Sequence, residues 1–231
     1  MDRNTVERYR LSLFGRMVMG VAHEVDNHLS VVIGFSELIQ MTAANEQKVR
    51  DGASKVLAAG ERIGTLIKHF SQYVRPHAPV GEAFPISELL AEILLFSRYD
   101  LGRGGSIVNA RGCPEGLAQG DRRDLGLALL SLLFNGAEAM AGAGGELTIE
   151  VVRRDGAWVI SITDQGPGIP VGLAERIYDE GFTTKTESFR TGMGLPVARH
   201  LITEAGGTLH VAGKPSGGCV ATVRLPAPET R

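Results

Sequence analysis

From Leu11 onward, apolar residues recur every seven positions. With Leu11 at heptad position a, Val18, Val25, Val32 and Ile39 also fall at a, and Phe14, Val21, His28 and Phe35 fall at d. A second register has Val49, Val56, Ile63 and Phe70 at a, and Gly52, Ala59, Leu66 and Tyr73 at d. The spacing predicts two long helices, joined through "TAANEQ" (residues 42–47) as an antiparallel hairpin. One hairpin cannot cover its own seam. A homodimer pairing two hairpins into a four-helix bundle is therefore expected; the alternative is that the seam packs on the rest of the chain.

"VRPHAPVGEAFP" (residues 74–85) then breaks the helical period with Pro76, Pro79 and Pro85, and predicts a division into domains 1–78 and 79–231. Beyond it the texture alternates. A helix is expected from Ser87 to about Arg98, a strand over 106–110, and a helix from Asp121 to Met140 with Asp121 as its N-cap. "ELTIEVVRR" and "AWVISITD" flank Asp155-Gly156, a hairpin signal, and "GTLHVAGK" and "GCVATVRLP" supply two more strands. The second unit reads as α+β, with helices layered on a mixed sheet.

Composition narrows this picture. With 231 residues, 43% of them hydrophobic, the chain can bury one sizeable core, or one core plus a smaller helical unit. "LGLALLSLLF" (residues 125–134) is far short of the ~20 residues of a membrane span, and "MDRNTVERYR" lacks the apolar core of a signal peptide. No membrane span and a cytoplasmic location are expected. Cys113 and Cys219 have no metal-ligand spacing and form no disulfide framework. A net charge of -2 without a strong basic run leaves no footprint for nucleic acid.

Chemistry enters with "VAHEVDNHLS" (residues 21–30), which sets His23, Glu24, Asn27 and His28 in one stretch of helix. His23 falls at f, Glu24 at g and Asn27 at c. Four residues turn a helix by about 400°, so His23 and Asn27 lie about 40° apart on one exposed face, with room for a water between them. His28, about 140° from His23, turns into the seam at d. That angle excludes the H-E-x-x-H zinc-protease pattern, which needs histidines at i and i+4.

Three later stretches are candidates for a binding site. On the helix from Asp121, the residues Asp124, Ser131, Asn135 and Glu138 form one polar stripe on an otherwise apolar element. Burying them is costly unless they are satisfied, for which Mg²⁺ and phosphate oxygens are candidates; a helix edge near water is the plainer reading. "DQGPGIP" places Asp164 at a strand end, where its carboxylate could accept from an adenine amino group, with Gly166 and Gly168 freeing the backbone. The run from Gly181 to Gly194 enters a helix, and Gly192 and Gly194 allow backbone N–H groups to approach a phosphate. Taken singly, each glycine pair also suits an ordinary loop.

In their order, an exposed His-Glu helix, "SLLFNGAEAM", "DQGPGIP", "FTTK" and "TGMGL" resemble the H, N, first G, F and second G boxes of sensor histidine kinases, over residues 12–226. "NGAEAM" and "GFTTK" look closest to the nitrogen-regulation subgroup. The resemblance implies a dimerisation and phosphotransfer hairpin, a four-helix bundle as a dimer, followed by an α+β sandwich of the Bergerat ATP-binding type shared with DNA gyrase and MutL. It implies His23 as phospho-acceptor, Glu24 as the residue that orients its ring and takes its proton, and Asn27 as the positioner of a water for dephosphorylation. By the same resemblance Asn135 would hold Mg²⁺ and Asp164 the adenine. Glu138, Gly166, Gly168, Thr184, Lys185, Gly192, Gly194 and Leu195 would line the ATP site or its lid.

The implied partners are a second copy, a response-regulator receiver domain and a separate sensor protein. Three positions depart from the pattern. Ser131 stands where the family has Asn, "YDEGF" (residues 178–182) replaces the usual Pro-Phe, and His28 replaces a proline, which predicts a straighter first helix. Two other readings are a degenerate phosphotransfer scaffold or phosphatase with weak ATP use, and a gyrase-like ATPase module, which leaves His23 unexplained.

Overall fold

The computed structural model describes residues 1–75, 80–101, 106–112, 115–140, 144–170, 172–183 and 191–228. Pro76 and Pro79 therefore fall outside the described residues. Two compact units emerge: Phe14–Arg75, and Met1–Leu13 together with Pro76–Arg231. This differs from the expected 1–78 and 79–231 division at residues 1–13, which pack with the α/β unit.

The helical unit is a hairpin. Helix α1 (Arg3–Met41) runs unbroken through His28. Helix α2 (Glu46–Val74) starts two residues earlier than the end of "TAANEQ" suggests, because Asn45 caps it by accepting from the Lys48 N–H at 3.0 Å. The d positions face one another: Phe14 and Val21 of α1 and Gly52, Ala59, Leu66 and Tyr73 of α2 are buried. Phe14 stacks on Tyr73 with ring centres 5.2 Å apart and meets Phe70 edge-on at 5.7 Å. At the other end a Cβ on Gly52 would lie 2.8 Å from Ile39 Cγ1, so that position admits no larger residue without a shift. Val18, at position a, stays 48% exposed.

The α/β unit is built on a mixed sheet of order β2-β4-β5-β7-β6: β2 (Ser106–Arg111), β4 (Gly145–Arg154), β5 (Ala157–Thr163), β7 (Cys219–Pro226) and β6 (Thr208–Gly213). β2 and β4 are parallel; the other neighbours are antiparallel. Asp155-Gly156 makes the β4–β5 turn, both residues having positive φ (51° and 69°), the left-handed backbone this tight turn requires. Alternate residues of β4, β5 and β7 are buried in cross-strand rows such as Val151–Ile160–Val223 and Ile149–Ile162–Ala221. Helices α3 (Ile86–Leu101), α4 (Arg122–Ala139) and α5 (Gly194–Glu204) accompany the sheet. α4 is buried almost all round from Asp124 to Phe134, and Asp121 caps it through bonds from the Arg123 and Asp124 N–H groups.

Two short strands, β1 (Glu82–Pro85) and β3 (Leu117–Gly120), pair antiparallel as a separate ribbon. Sequence pattern does not announce them, being four residues each with Pro85 at the end of one, where a strand terminus tolerates the missing N–H. Among the described residues no helix is long and apolar enough to cross a membrane.

Candidate functional site

The polar stripe of α4 is divided between two environments. Asp124, 6% exposed, is met by the chain's own N-terminus: Arg3 Nη1 donates to Oδ2 at 2.8 Å and Arg10 Nη2 to Oδ1 at 2.5 Å, with the Arg10 side chain fully buried. Ser131 is wholly buried; its hydroxyl donates to the Gly194 carbonyl at 2.9 Å and lies 2.6 Å from the Tyr9 hydroxyl. Both groups are thus satisfied from within the chain rather than by a ligand. One turn further on, the case is different. The Nδ2 of Asn135 is buried with no hydrogen-bond partner among the described residues. Glu138, a further turn along, is half-buried.

The start of α5 closes on this stripe. A Cβ on Gly194 would lie 2.9 Å from Asn135 Nδ2 and 3.1 Å from Ser131 Oγ, so the helix N-terminus can approach α4 this closely only because residue 194 has no side chain. Leu195, half-buried, follows it in the first turn. Gly192 has φ +64°, and a Cβ there would fall 2.6 Å from the Phe182 carbonyl oxygen. Residues 181–182 and 192 therefore meet backbone to backbone. Thr184 and Lys185, between them, lie outside the described residues.

Asp164 follows β5 and is 7% exposed. Its Oδ1 accepts from the N–H groups of Gly166 (2.8 Å) and Cys219 (3.0 Å), and Lys214 Nζ donates to its backbone carbonyl at 2.9 Å. The carboxylate is thus held rigidly, with Oδ2 on the side of α4, 3.8 Å from where a Cβ on Gly136 would be. Gly166 sits tightly against Ala139 and Gly168 has φ +86° near the Gly218 carbonyl. Burial and the Asp164 charge together push the Cys219 thiol above its ordinary value.

Three of these contributors, Tyr9, Lys214 and Tyr178, escaped sequence reading. Tyr178, in "YDEGF", accepts from the Val211 N–H at 3.0 Å and lies under the Arg199 guanidinium, 4.6 Å from its ring centre, while Arg176 covers Phe182 at 4.6 Å. These contacts tie the segment before residue 184 to β6 and α5. No local pattern could have revealed partners so distant in sequence.

On the hairpin, His23 and Asn27 are exposed, as their heptad positions require. The Glu24 carboxylate is shared between His28 Nε2, 3.1 Å from Oε1, and Asn27 Nδ2, which donates to Oε2 at 3.4 Å. Its two contacts are thus not to His23, whose ring it was expected to orient, because a helix brings i+3 and i+4 side chains together and keeps i+1 apart. His28 is largely buried, its side chain 16% exposed, consistent with a d position.

The chain is similar to known proteins. Residues 120–229 match the family of histidine kinase-, DNA gyrase B- and HSP90-like ATPases. The C4-dicarboxylate transport sensor protein DctS of Rhodobacter capsulatus is 30% identical across 99% of this chain and 36% of DctS. The signal transduction histidine-protein kinase AtoS of Escherichia coli is 29% identical across 97% of this chain and 37% of AtoS. The chain thus spans little more than a third of either relative. The solved catalytic domain of histidine kinase ThkA matches with a TM-score of 0.58 at 26% identity, covering 64% of this chain and 96% of that domain. The chain belongs to the sensor histidine kinases and carries their Bergerat-type ATP-binding domain.

Proposed function

We propose that the chain is an ATP-dependent protein histidine kinase of a two-component system, working as a homodimer in the cytoplasm. The observation that carries this reading is the cradle where α5 meets α4. There the buried Nδ2 of Asn135, without a hydrogen-bond partner among the described residues, borders a helix N-terminus suited to phosphate. Asp164 Oδ2 takes the adenine amino group. Asn135 would hold Mg²⁺, with its Nδ2 free to donate to a phosphate oxygen, and the ion would neutralise charge on the phosphates. No cluster of three or more His, Cys, Asp or Glu side chains suited to a metal occurs among the described residues, which fits an ion carried in largely by the nucleotide. Glu138, Gly166, Gly168, Gly192 and Leu195 line the site, and the family motif assigns Thr184 and Lys185, which lie outside the described residues, to its lid.

A neutral His23 nitrogen then attacks the γ-phosphorus in line, a P–N bond forms, the P–O bond to ADP breaks, and the other ring nitrogen releases its proton to Glu24 once that carboxylate leaves His28. The phosphoryl group passes to an aspartate of a response-regulator receiver, with Asn27 positioning water when the same regulator is dephosphorylated. The input comes from a sensor on a separate protein or on further chain.

Incubation with γ-labelled ATP and Mg²⁺ tests this. Label should appear on the protein, be acid-labile and base-stable, and vanish in His23→Ala, which still binds ATP. Label persisting on His23→Ala assigns a different acceptor. Unlabelled protein that still dephosphorylates a receiver would make it a phosphatase.

A further inference from the structure

We propose that Tyr9 is a positioning residue of the nucleotide site, acting through Ser131 on Gly194; this rests on the reading of that site as one for ATP. The hydroxyl of Ser131 has one proton, and it goes to the Gly194 carbonyl at 2.9 Å. Tyr9, 2.6 Å from the same oxygen, must therefore be the donor in its bond with Ser131. The result is a directed chain: Tyr9 O–H to Ser131 Oγ, Ser131 O–H to Gly194 O. Because Ser131 is wholly buried, the phenol satisfies its lone pair and leaves the serine proton pointing at Gly194.

Gly194 is the first residue of α5 and lies against Asn135. Its placement therefore decides whether the α5 N-terminus and the Asn135 amide meet the same phosphate. The seating of Tyr9 is itself fixed. Arg3 and Arg10, on the same helix, clamp Asp124 two turns before Ser131, and Val6 is fully buried beside them. Ser131 is thus not a weakened copy of an asparagine. It has exchanged a direct ligand contact for a fixed hinge whose third member comes from residues 1–13. By linkage, whatever lifts those residues from α4 lowers nucleotide affinity, and bound nucleotide holds them down.

The test is a double-mutant cycle on the full chain: wild type, Tyr9→Phe, Ser131→Ala and the double variant, with a fluorescent ATP analogue and Mg²⁺. Tyr9→Phe removes one oxygen and keeps the ring's packing. Each single change should weaken analogue binding by roughly three- to tenfold, the worth of one hydrogen bond, and the double should be no weaker than Ser131→Ala. In autophosphorylation, KM for ATP should rise while kcat stays within about twofold, since one hydrogen bond in the site's placement is lost and no reacting group. Unchanged or tighter binding by Tyr9→Phe, or losses that multiply in the double variant, would overturn the proposal. Failure of the wild type to bind the analogue would overturn the ATP reading beneath it.

Discussion

The two units differ in where their apolar surface ends. In the α/β unit it closes around a central core, with Trp158, Ile160, Leu127, Leu130 and Val223 fully buried, although Ile107 (66%) and Leu117 (48%) stay exposed on the short outer strands. In the hairpin only one row closes. Ala59, Leu66 and Tyr73 are buried, but Val18, Met19, Leu29, Ile33, Leu57 and Ile67 are between 42% and 65% exposed. The heptad repeat accounts for the buried row but not for the open one: of the open residues Val18 alone is at a, whereas Met19, Ile33 and Leu57 fall at b and Leu29 and Ile67 at e. The apolar surface of the hairpin thus extends beyond the two positions in seven that its two helices cover between them. The α/β unit alternates apolar and polar positions along each strand and needs no second chain to finish its core. Residues 1–13 follow neither pattern, for although they continue α1 they are fastened through charges and hydroxyls to α4.

The sharpest way to separate the units is to damage one core. Trp158 is fully buried and its Nε1 donates to the Leu117 carbonyl at 2.8 Å, so Trp158→Ala opens a cavity and orphans that carbonyl. The expected cost is about 3–5 kcal/mol. Urea unfolding followed by circular dichroism should show the α/β transition at lower denaturant, with nucleotide binding lost, while sedimentation still shows the proposed dimer. Loss of the dimer as well would mean that the two cores are one cooperative system.

The reverse experiment spoils the open row. Val18 and Leu29 are eleven residues apart, about 20° round the helix, so both lie on one exposed strip. Val18→Glu with Leu29→Glu should shift the proposed dimer to monomer in sedimentation and leave analogue binding unchanged, because neither residue belongs to a closed core. A persistent dimer would show that this strip is not the interface.

What could be read from sequence followed the range of each signal. The hairpin register, the Asp121 cap and the Asp155-Gly156 turn rest on residues within a few positions of one another, and each is present. The residues proposed for the nucleotide site stood out in the sequence as ordered motifs. Illegible were partners brought together across the chain, such as Tyr9 with Ser131, 122 residues apart, and Arg10 with Asp124, 114 apart. The stripe on α4 is polar, buried at Asp124 and Ser131 and half-buried at Asn135 and Glu138, but a helical wheel cannot say whether a ligand or the chain's own N-terminus fills it. Glu24 shows the same limit at short range, since adjacency to His23 in sequence concealed its contacts with His28 and Asn27.

The smallest effect concerns Cys219, and the hairpin, lacking cysteine, serves as its silent control. Burial and the nearby Asp164 carboxylate raise the thiol pKa, Lys214 opposing them less strongly. A raised value favours the neutral thiol in the folded chain. The stability this contributes is therefore present below the unfolded thiol value of about 8.5 and is lost as pH rises through the folded one. Only the thiolate reacts with iodoacetamide. In a Cys113→Ser background, Cys219 should alkylate more slowly at pH 8 in the folded protein than in urea, and the gap should narrow as pH rises. Nucleotide should slow the folded reaction further if its adenine reaches Asp164, whose Oδ1 accepts from the Cys219 N–H. Equal folded and unfolded rates at pH 8 would mean that the carboxylate and the burial around Cys219 do not disfavour its thiolate, and that Asp164 is less enclosed than its 7% exposure indicates.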